Sequence, residues 1–543
     1  MASHGDTLGS APRKRPSEQG TSGAARTLTI GTLVAACFAV MLAQIGVAIP
    51  ATLNGLFQQD LHPIGSQLTW ISDAFLLPVA ALELSFGVLG DLFGRKRLLI
   101  TGGVLLTAGE FVAASSSGVH MLWVGQALAG LGAAALFPTS LAMLAAGTHT
   151  ARERSRSIAL WAGFLSAGGF VAPVLGGITG GYGSWRWALV VVGILGVVSI
   201  LLSLVLAANS SAPEGRSLDW GGQVTLAVGL IALLYAVIQG PTDGWSAPSV
   251  IVGFVVAVVF VGLFLFAETR AKAPLLRLDL FTNRAFAIAA TVAVIGMFSF
   301  LGTAYATSIR LGPIQHQSPL RTSVPFLLLQ GPAFLLIPLT SWLLERVNPR
   351  WLLGSGFVIM AIGEFYAATL PVSDTTLTSL VVPIGLVGIG FALSVASITA
   401  TAVNTVPIHY AGMASATTSL LRDFGFTLGP AIIGAVALGQ AASRFTGNLG
   451  AANLPPDQLA AAQGAAKEGG PLAVNGILPG QPGSAAHQVA YDALGHGYST
   501  GYIVCAAAAL FAALLTVLAL RGGRSDNIVR QEALIEQAGD AAA

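Results

Sequence analysis

The sequence predicts an all-α, polytopic membrane protein of fourteen transmembrane helices. Three observations carry that reading. Of the 543 residues, 54% are hydrophobic and only 9% are charged; a soluble chain would carry about a quarter charged residues. Mean hydropathy is +0.75. Apolar runs recur along the chain at the length of about 20 residues that a helix needs to cross a bilayer core.

In order, the runs fall at 28–50, 69–89, 98–117, 119–146, 157–180, 186–208, 220–239, 248–268, 286–310, 322–345, 351–371, 376–405, 413–441 and 498–520. The first is too long for a signal-peptide core and lacks a clear cleavage site, so it reads as a true span. The polar stretch 1–27 before it reads as a disordered tail. With the N-terminus in the cytoplasm, twenty of the twenty-six Lys and Arg residues face inward. Five face outward (Arg186, Arg310, Arg321, Arg444, Lys467), and Arg422 lies within a span. This bias places both termini in the cytoplasm. Cys37 and Cys505 sit in apolar runs and offer neither a disulfide framework nor a metal site. No phosphate-binding loop or nucleophile–base cluster is visible, so no cofactor, metal, nucleic acid or catalytic centre is expected.

The tight hairpin "GVLGDLFGRKRLL" (87–99) joins spans 2 and 3 with an acid and three basic residues. Positive-inside bias explains Arg95, Lys96 and Arg97, but not Asp91 or the glycines at 87, 90 and 94. Shifting the chain by 254 residues lays "LGDLFGRKRLL" over "LLERVNPRWLL" and "TAGEFVAAS" over "AIGEFYAAT", so Asp91 meets Glu345 and Glu110 meets Glu364. "GLGAAALFPTSLA" in span 4 resembles "GIGFALSVASITA" in span 12, and "GGFVAPVLGG" in span 5 resembles "FGFTLGPAIIG" in span 13. Spans 1–6 therefore repeat as spans 9–14, with spans 7 and 8 inserted. Parallel halves of this kind place a substrate site between them. The expected divisions are a cytoplasmic tail (1–27), an N-terminal half (28–208), and two inserted helices with a linker (209–285). A C-terminal half (286–521) with an extracellular loop (442–497) and a second cytoplasmic tail (522–543) complete the chain.

On the hairpin Gly87, Leu89, Asp91, Gly94, Arg95, Lys96, together with "WISDAFLL", "SWRWALVVV" and the 442–497 loop, the chain resembles the major facilitator superfamily. Within it, the likeness is to the fourteen-helix drug:proton antiporter branch. The resemblance implies the major facilitator fold and a monomeric exporter of hydrophobic or amphiphilic organic molecules in a bacterial plasma membrane. It also implies proton-coupled alternating access. A lipid or metabolite exporter without proton coupling, or a transporter-like ligand sensor, stays open. The hairpin Gly87, Asp91, Gly94, Arg95, Lys96 and Arg97 then reads as a gate, with Arg95 able to bridge the halves. The expected hinge signature Gly-x-x-x-Gly-Pro is complete at Gly425, Gly429 and Pro430, and departs at Ala172 beside Gly168 and Pro173.

Intramembrane carboxylates are costly and default to functional candidates. Asp73 either loads protons or caps a wet channel mouth. Glu83 is deep and needs a partner, a cavity or a proton. Glu110 and Glu364, related by the repeat, point to a shared structural role, each carboxyl hydrogen-bonded to a neighbouring helix. Arg422 and Asp423 are adjacent on span 13 and point apart. Two positions depart from the family pattern: Met41 stands where an Asp is expected in span 1, and Gln126 where span 4 carries an Arg. Gln44, Gln126, Phe298, Tyr305, Asn404 and Arg422 are candidates for the cavity wall, with Thr139, Ser140 and Phe300.

Overall fold

The computed structural model describes residues 28–148, 150–211, 218–271, 274–404, 406 and 411–520. The two tails of the sequence reading, 1–27 and 522–543, lie outside them.

Among the described residues the chain folds as seventeen α-helices. They are α1 (Ile30–Ala48), α2 (Pro50–Leu61), α3 (Gln67–Phe93), α4 (Arg95–Ala114), α5 (Val119–Ala146), α6 (Ala151–Tyr182) and α7 (Trp185–Leu206). These are followed by α8 (Trp220–Asp243), α9 (Pro248–Arg270), α10 (Arg284–Ile309), α11 (Pro319–Leu335) and α12 (Ile337–Arg346). The last are α13 (Pro349–Thr369), α14 (Leu377–Asn404), α15 (Ala411–Leu449), α16 (Pro456–Asn475) and α17 (His487–Ala519). Thirteen stretches are long and apolar enough to cross a bilayer, and α11 with α12 makes a fourteenth as a broken span bent by 49°. The bend falls at Leu336, between Pro332 and Pro338, where missing amide donors interrupt the helical ladder.

The repeat is visible in the packing. α4 lies on α5 and α7, and α1 on α6; in the second half α13 lies on α14 and α17, and α10 on α15. The halves meet through α6 with α11 and α3 with α15, while α8 and α9 form a hairpin whose first helix touches both α3 and α15. We call the end bearing the 90–97 hairpin the basic end and the opposite one the capped end.

Helices outrun the apolar runs at the capped end. Beyond span 1 the chain continues as α2, α15 reaches Leu449 and α17 begins at His487. The 442–497 segment is thus largely helical, with Phe445, Leu449, Ala462, Val474, Ala486 and Ala490 forming its own small core. Hydropathy marks only the part of a helix that is apolar all round, whereas alanine favours helix whether or not lipid surrounds it.

Candidate functional site

The interface between the halves gathers three of the sequence candidates. α3 brings Glu83 to face Asp423 of α15 within hydrogen-bonding reach, and Arg422 lies beside them. All three side chains are half-buried. Among the described residues, Arg422 Nε has no hydrogen-bond partner. From the sequence Glu83 needs a partner, a cavity or a proton, and Arg422 and Asp423 each a partner or the cavity; the fold sets Glu83 and Asp423 opposite each other across the two halves. Two facing carboxyls repel when both are ionised, so such a pair is suited to holding one proton between them, with a guanidinium to balance the remaining charge.

Asp73 sits about 15 Å from Glu83 along the same helix, towards the capped end. It is fully buried, and among the described residues neither carboxyl oxygen has a hydrogen-bond partner. The reading of Asp73 as a solvated cap is thereby corrected: in this structure the capped end is shut above it. One turn away, Thr69 hydrogen-bonds Tyr305 of α10 at 2.7 Å. Farther out, Asn54 Nδ2 donates to Ser308 Oγ at 2.8 Å. Gly55 meets Gly312 so closely that a Cβ on Gly55 would lie 2.8 Å from the Gly312 Cα. Gly312 belongs to a π-helical turn, Arg310–Ile314, that ends α10. Sequence reasoning missed Asn54 and Ser308, yet a signal existed. The two are 254 residues apart, the repeat offset itself, so each half supplies the same position to the pseudo-symmetry axis.

At the basic end, Arg95 donates through Nε (3.0 Å) and Nη2 (2.7 Å) to Asp91 Oδ1. Its backbone N–H donates to Ser210 O at 2.9 Å, and Lys96 Nζ donates to Leu204 O at 2.7 Å. Gly94 has φ +102°, a backbone that favours glycine. Arg97 is exposed. Among the described residues, the hydrogen bonds of Arg95 run to Asp91 and Ser210, both on the N-terminal side of the inserted helices.

Glu110 and Glu364 divide instead of sharing one role. Glu364 accepts from Ser299 Oγ (2.7 Å) and Thr303 Oγ1 (2.9 Å) of α10. Glu110 is equally buried, but among the described residues neither of its oxygens has a partner, whereas of the Glu364 oxygens only Oε2 lacks one. The residues one repeat before Ser299 and Thr303 are Ile45 and Ile49, which offer no hydroxyl.

The glycine signatures are close-approach surfaces. A Cβ on Gly168 would lie 2.9 Å from the Gln44 Cβ, and one on Gly429 2.7 Å from the Gly302 N. Gly425 likewise abuts the Val294 carbonyl. α6 and α15 run unbroken through Pro173 and Pro430.

Of the proposed wall residues, Gln44, Phe298 and Arg422 are half-buried. Gln126 is wholly buried, and among the described residues neither end of its amide has a partner. Tyr305 is buried in the capped-end closure, Thr139 and Ser140 are buried, and Phe300 stacks on Phe391 inside the C-terminal half. The side chain of Asn404 lies outside the described residues.

Comparison with known proteins follows from this geometry. The sequence profile of the Major Facilitator Superfamily matches residues 34–430. The multidrug resistance protein Stp of Mycobacterium tuberculosis is 32% identical over 370 residues, 68% of each chain. The tetracenomycin C resistance and export protein of Streptomyces glaucescens is 28% identical and covers 90% of each. The multidrug efflux pump LfrA of Mycolicibacterium smegmatis is 27% identical over 93% of this chain and 99% of its own. Among solved structures, a peptide transporter POT superposes with a TM-score of 0.60 at 15% identity, over 91% of this chain and 96% of that one. The nucleoside transporter NupG superposes at 0.57 and 11% identity, over 90% and 100%. At those identities the likeness concerns the fold alone.

Proposed function

Because the chain belongs to the Major Facilitator Superfamily, we propose that it is a secondary exporter of hydrophobic or amphiphilic organic molecules, working by proton-coupled alternating access. The observation that carries the coupling is the Glu83–Asp423 pair, with Arg422 beside it, lying across the interface that rocking must open. The names of relatives that export drugs and antibiotics support the substrate class.

With the capped end shut, the two carboxyls face each other and hold one proton between them. Opening that end parts α3 from α15, wets both groups, and lets substrate and proton exchange places. Asp73, dry beneath the closure, becomes accessible in the same movement and loads protons from that side. A carboxyl that is dry in one access state and hydrated in the other is a group that can carry a proton across. The Asp91–Arg95 hairpin locks the basic end in the opposite state. The basic end faces the cytoplasm of a bacterial cell, in keeping with the twenty-to-five distribution of Lys and Arg, and the protein acts as a monomer.

Proteoliposomes carrying an imposed pH gradient test the reading. Glu83→Gln and Asp423→Asn are each expected to weaken, without eliminating, transport of a lipophilic dye against its gradient while leaving dye binding intact. Normal uphill transport by both variants would remove the pair from the mechanism. A second reading, facilitated export without protons, is favoured by one observation: Met41 and Gln126 put no titratable group where relatives in the drug:proton branch are expected to carry Asp and Arg. Transport by the unaltered protein that ignores the pH gradient would establish it.

A further inference from the structure

The inserted hairpin α8–α9 has no counterpart in the repeat, and its contacts with the two halves differ in kind. On one side α8 is hydrogen-bonded to α3. Gln223, only 6% exposed, donates through Nε2 to Ala81 O at 2.6 Å and accepts from Ser85 Oγ. Near the capped end Gln239 accepts from Ser66 Oγ. On the other side α8 meets α15 through apolar groups, with Leu234 and Ile238 against Ala431 and Leu428. Among the described residues, the side-chain hydrogen bonds of α8 to other helices all go to residues 66–85. Directional bonds fix register and rotation, whereas small apolar contacts can slide. α8 is therefore built to travel with α3 and to slip along α15.

The place where Gln223 grips is informative. Ala81 and Ser85 are one turn apart and share a face of α3; Glu83, midway between them, points the opposite way, into the interface. One turn earlier Pro78 interrupts the helical ladder and leaves this stretch free to bend or rotate. A helix weakened just before a deep carboxyl needs something to fix its rotation, and at this level the Gln223 side chain of α8 is buried against it.

Resting on the reading of Glu83 and Asp423 as the proton-carrying pair, we propose that Gln223 is a positioning residue: by holding Ala81 and Ser85 it keeps Glu83 turned towards Asp423, and the inserted hairpin is a splint for α3.

The test is a double-mutant cycle read out as pH-gradient-driven dye export in proteoliposomes. Gln223→Leu is expected to lower uphill export about fivefold, the effect of one buried hydrogen bond. It should shift the pH midpoint of export and leave downhill exchange unchanged. On a Glu83→Gln background it should cause no further loss, because nothing remains to be positioned. Gln239→Leu removes a bond about 24 Å away along α8; it should leave the pH midpoint in place. If Gln223→Leu fails to reach the membrane, Gln223→Glu enters the same cycle, keeping the size and the acceptor for Ser85 but not the donor to Ala81. Losses from Gln223 and Glu83 that multiply in full, or an unmoved pH midpoint, would overturn the positioning role while leaving the carboxyl pair standing. Normal uphill export by Glu83→Gln alone would overturn the pair, and the positioning role with it.

Discussion

The two halves share one scaffold and differ in where they keep their charges. In both, the second basic residue of the hairpin holds the end of the half's last helix. Lys96 donates to Leu204 O, and Arg350 donates to Leu520 O at 3.1 Å. Among the described residues only the first half adds an ion pair there: Asp91 has Arg95 four residues on, whereas Glu345 has Pro349. In mid-bundle the bias reverses: Glu364 accepts two hydroxyl hydrogen bonds, both on Oε1, and Glu110, among the described residues, accepts none. Backbone capping and helix packing survive duplication because any loss unravels a half. Charges diverge between the halves: the first keeps the Asp91–Arg95 pair at the basic end, and the second keeps the hydroxyl-bonded Glu364 in mid-bundle.

The comparison is broken most forcefully at the hairpins. Asp91→Asn should cut export about tenfold or more, because a charge-assisted pair contributes about 1.5–3 kcal/mol and weights one access state against the other. Glu345→Gln, its repeat partner, should change export less than twofold. Equal losses in matched-expression transport assays would mean that the ion pair has no special role. The two buried glutamates should next differ in sign. Glu364→Leu removes the shared acceptor of the Ser299 and Thr303 hydroxyls and should destabilise by about 1–3 kcal/mol. Glu110→Leu removes two unpartnered oxygens and should be neutral or stabilising. Thermal unfolding of the purified variants in nanodiscs decides between them, and a like shift in both would erase the asymmetry.

Much of this was legible in the sequence. Fourteen spans followed from apolar run length, and the repeat followed from the GEF triplets around Glu110 and Glu364, because both properties are local in the chain. Glu83, Asp423 and Arg422 were each recognisable as groups in need of partners, but their meeting was not, since no local pattern reports which helices touch across an interface. The opposite fates of Glu110 and Glu364 were hidden for a subtler reason: they depend on Ile45 and Ile49 replacing Ser299 and Thr303 on a different helix. Gln223 gave no signal at all, as a lone amide in an apolar span is common and its grip on Ala81 is a fact of packing. A smaller test belongs here. Gly429→Ala should destabilise by about 1–2 kcal/mol, because the new methyl meets the Gly302 backbone. Ala172→Gly, the repeat-related change in the other half, should stay within about 1 kcal/mol. Equal unfolding temperatures would deny the close contact.

The smallest expected effect contrasts the arginines at the capped end. Arg310 is buried, and donates through Nη1 to Leu370 O (3.0 Å) and through Nη2 to Pro371 O (2.7 Å), acceptors that do not titrate. Arg186 of the first half donates instead to Asp60 Oδ2 at 2.5 Å and to Ser116 O at 2.9 Å. Asp60 lies beyond the span Ile30–Ala48, and hydrogen bonds from Arg186 first, then from the Trp185 indole, hold its carboxyl below the usual carboxylate range. A depressed carboxyl contributes stability that is present above its unfolded pKa of about 4 and is lost as pH falls through the lower folded value. Because Arg186 and Asp60 are 36% and 46% exposed, solvent screening limits the pair to at most about 1 kcal/mol. Acidification below about pH 4 should therefore loosen the α2–α7 corner of the first half before the Arg310 corner of the second. Hydrogen exchange in peptides spanning residues 54–62 and 183–190, compared with 308–318 and 366–374 from pH 6 down to pH 3, measures this directly. Asp60→Asn should remove the pH dependence of the first pair of peptides and leave the second unaffected. Parallel loosening of both corners in the unaltered protein would show that acid acts elsewhere.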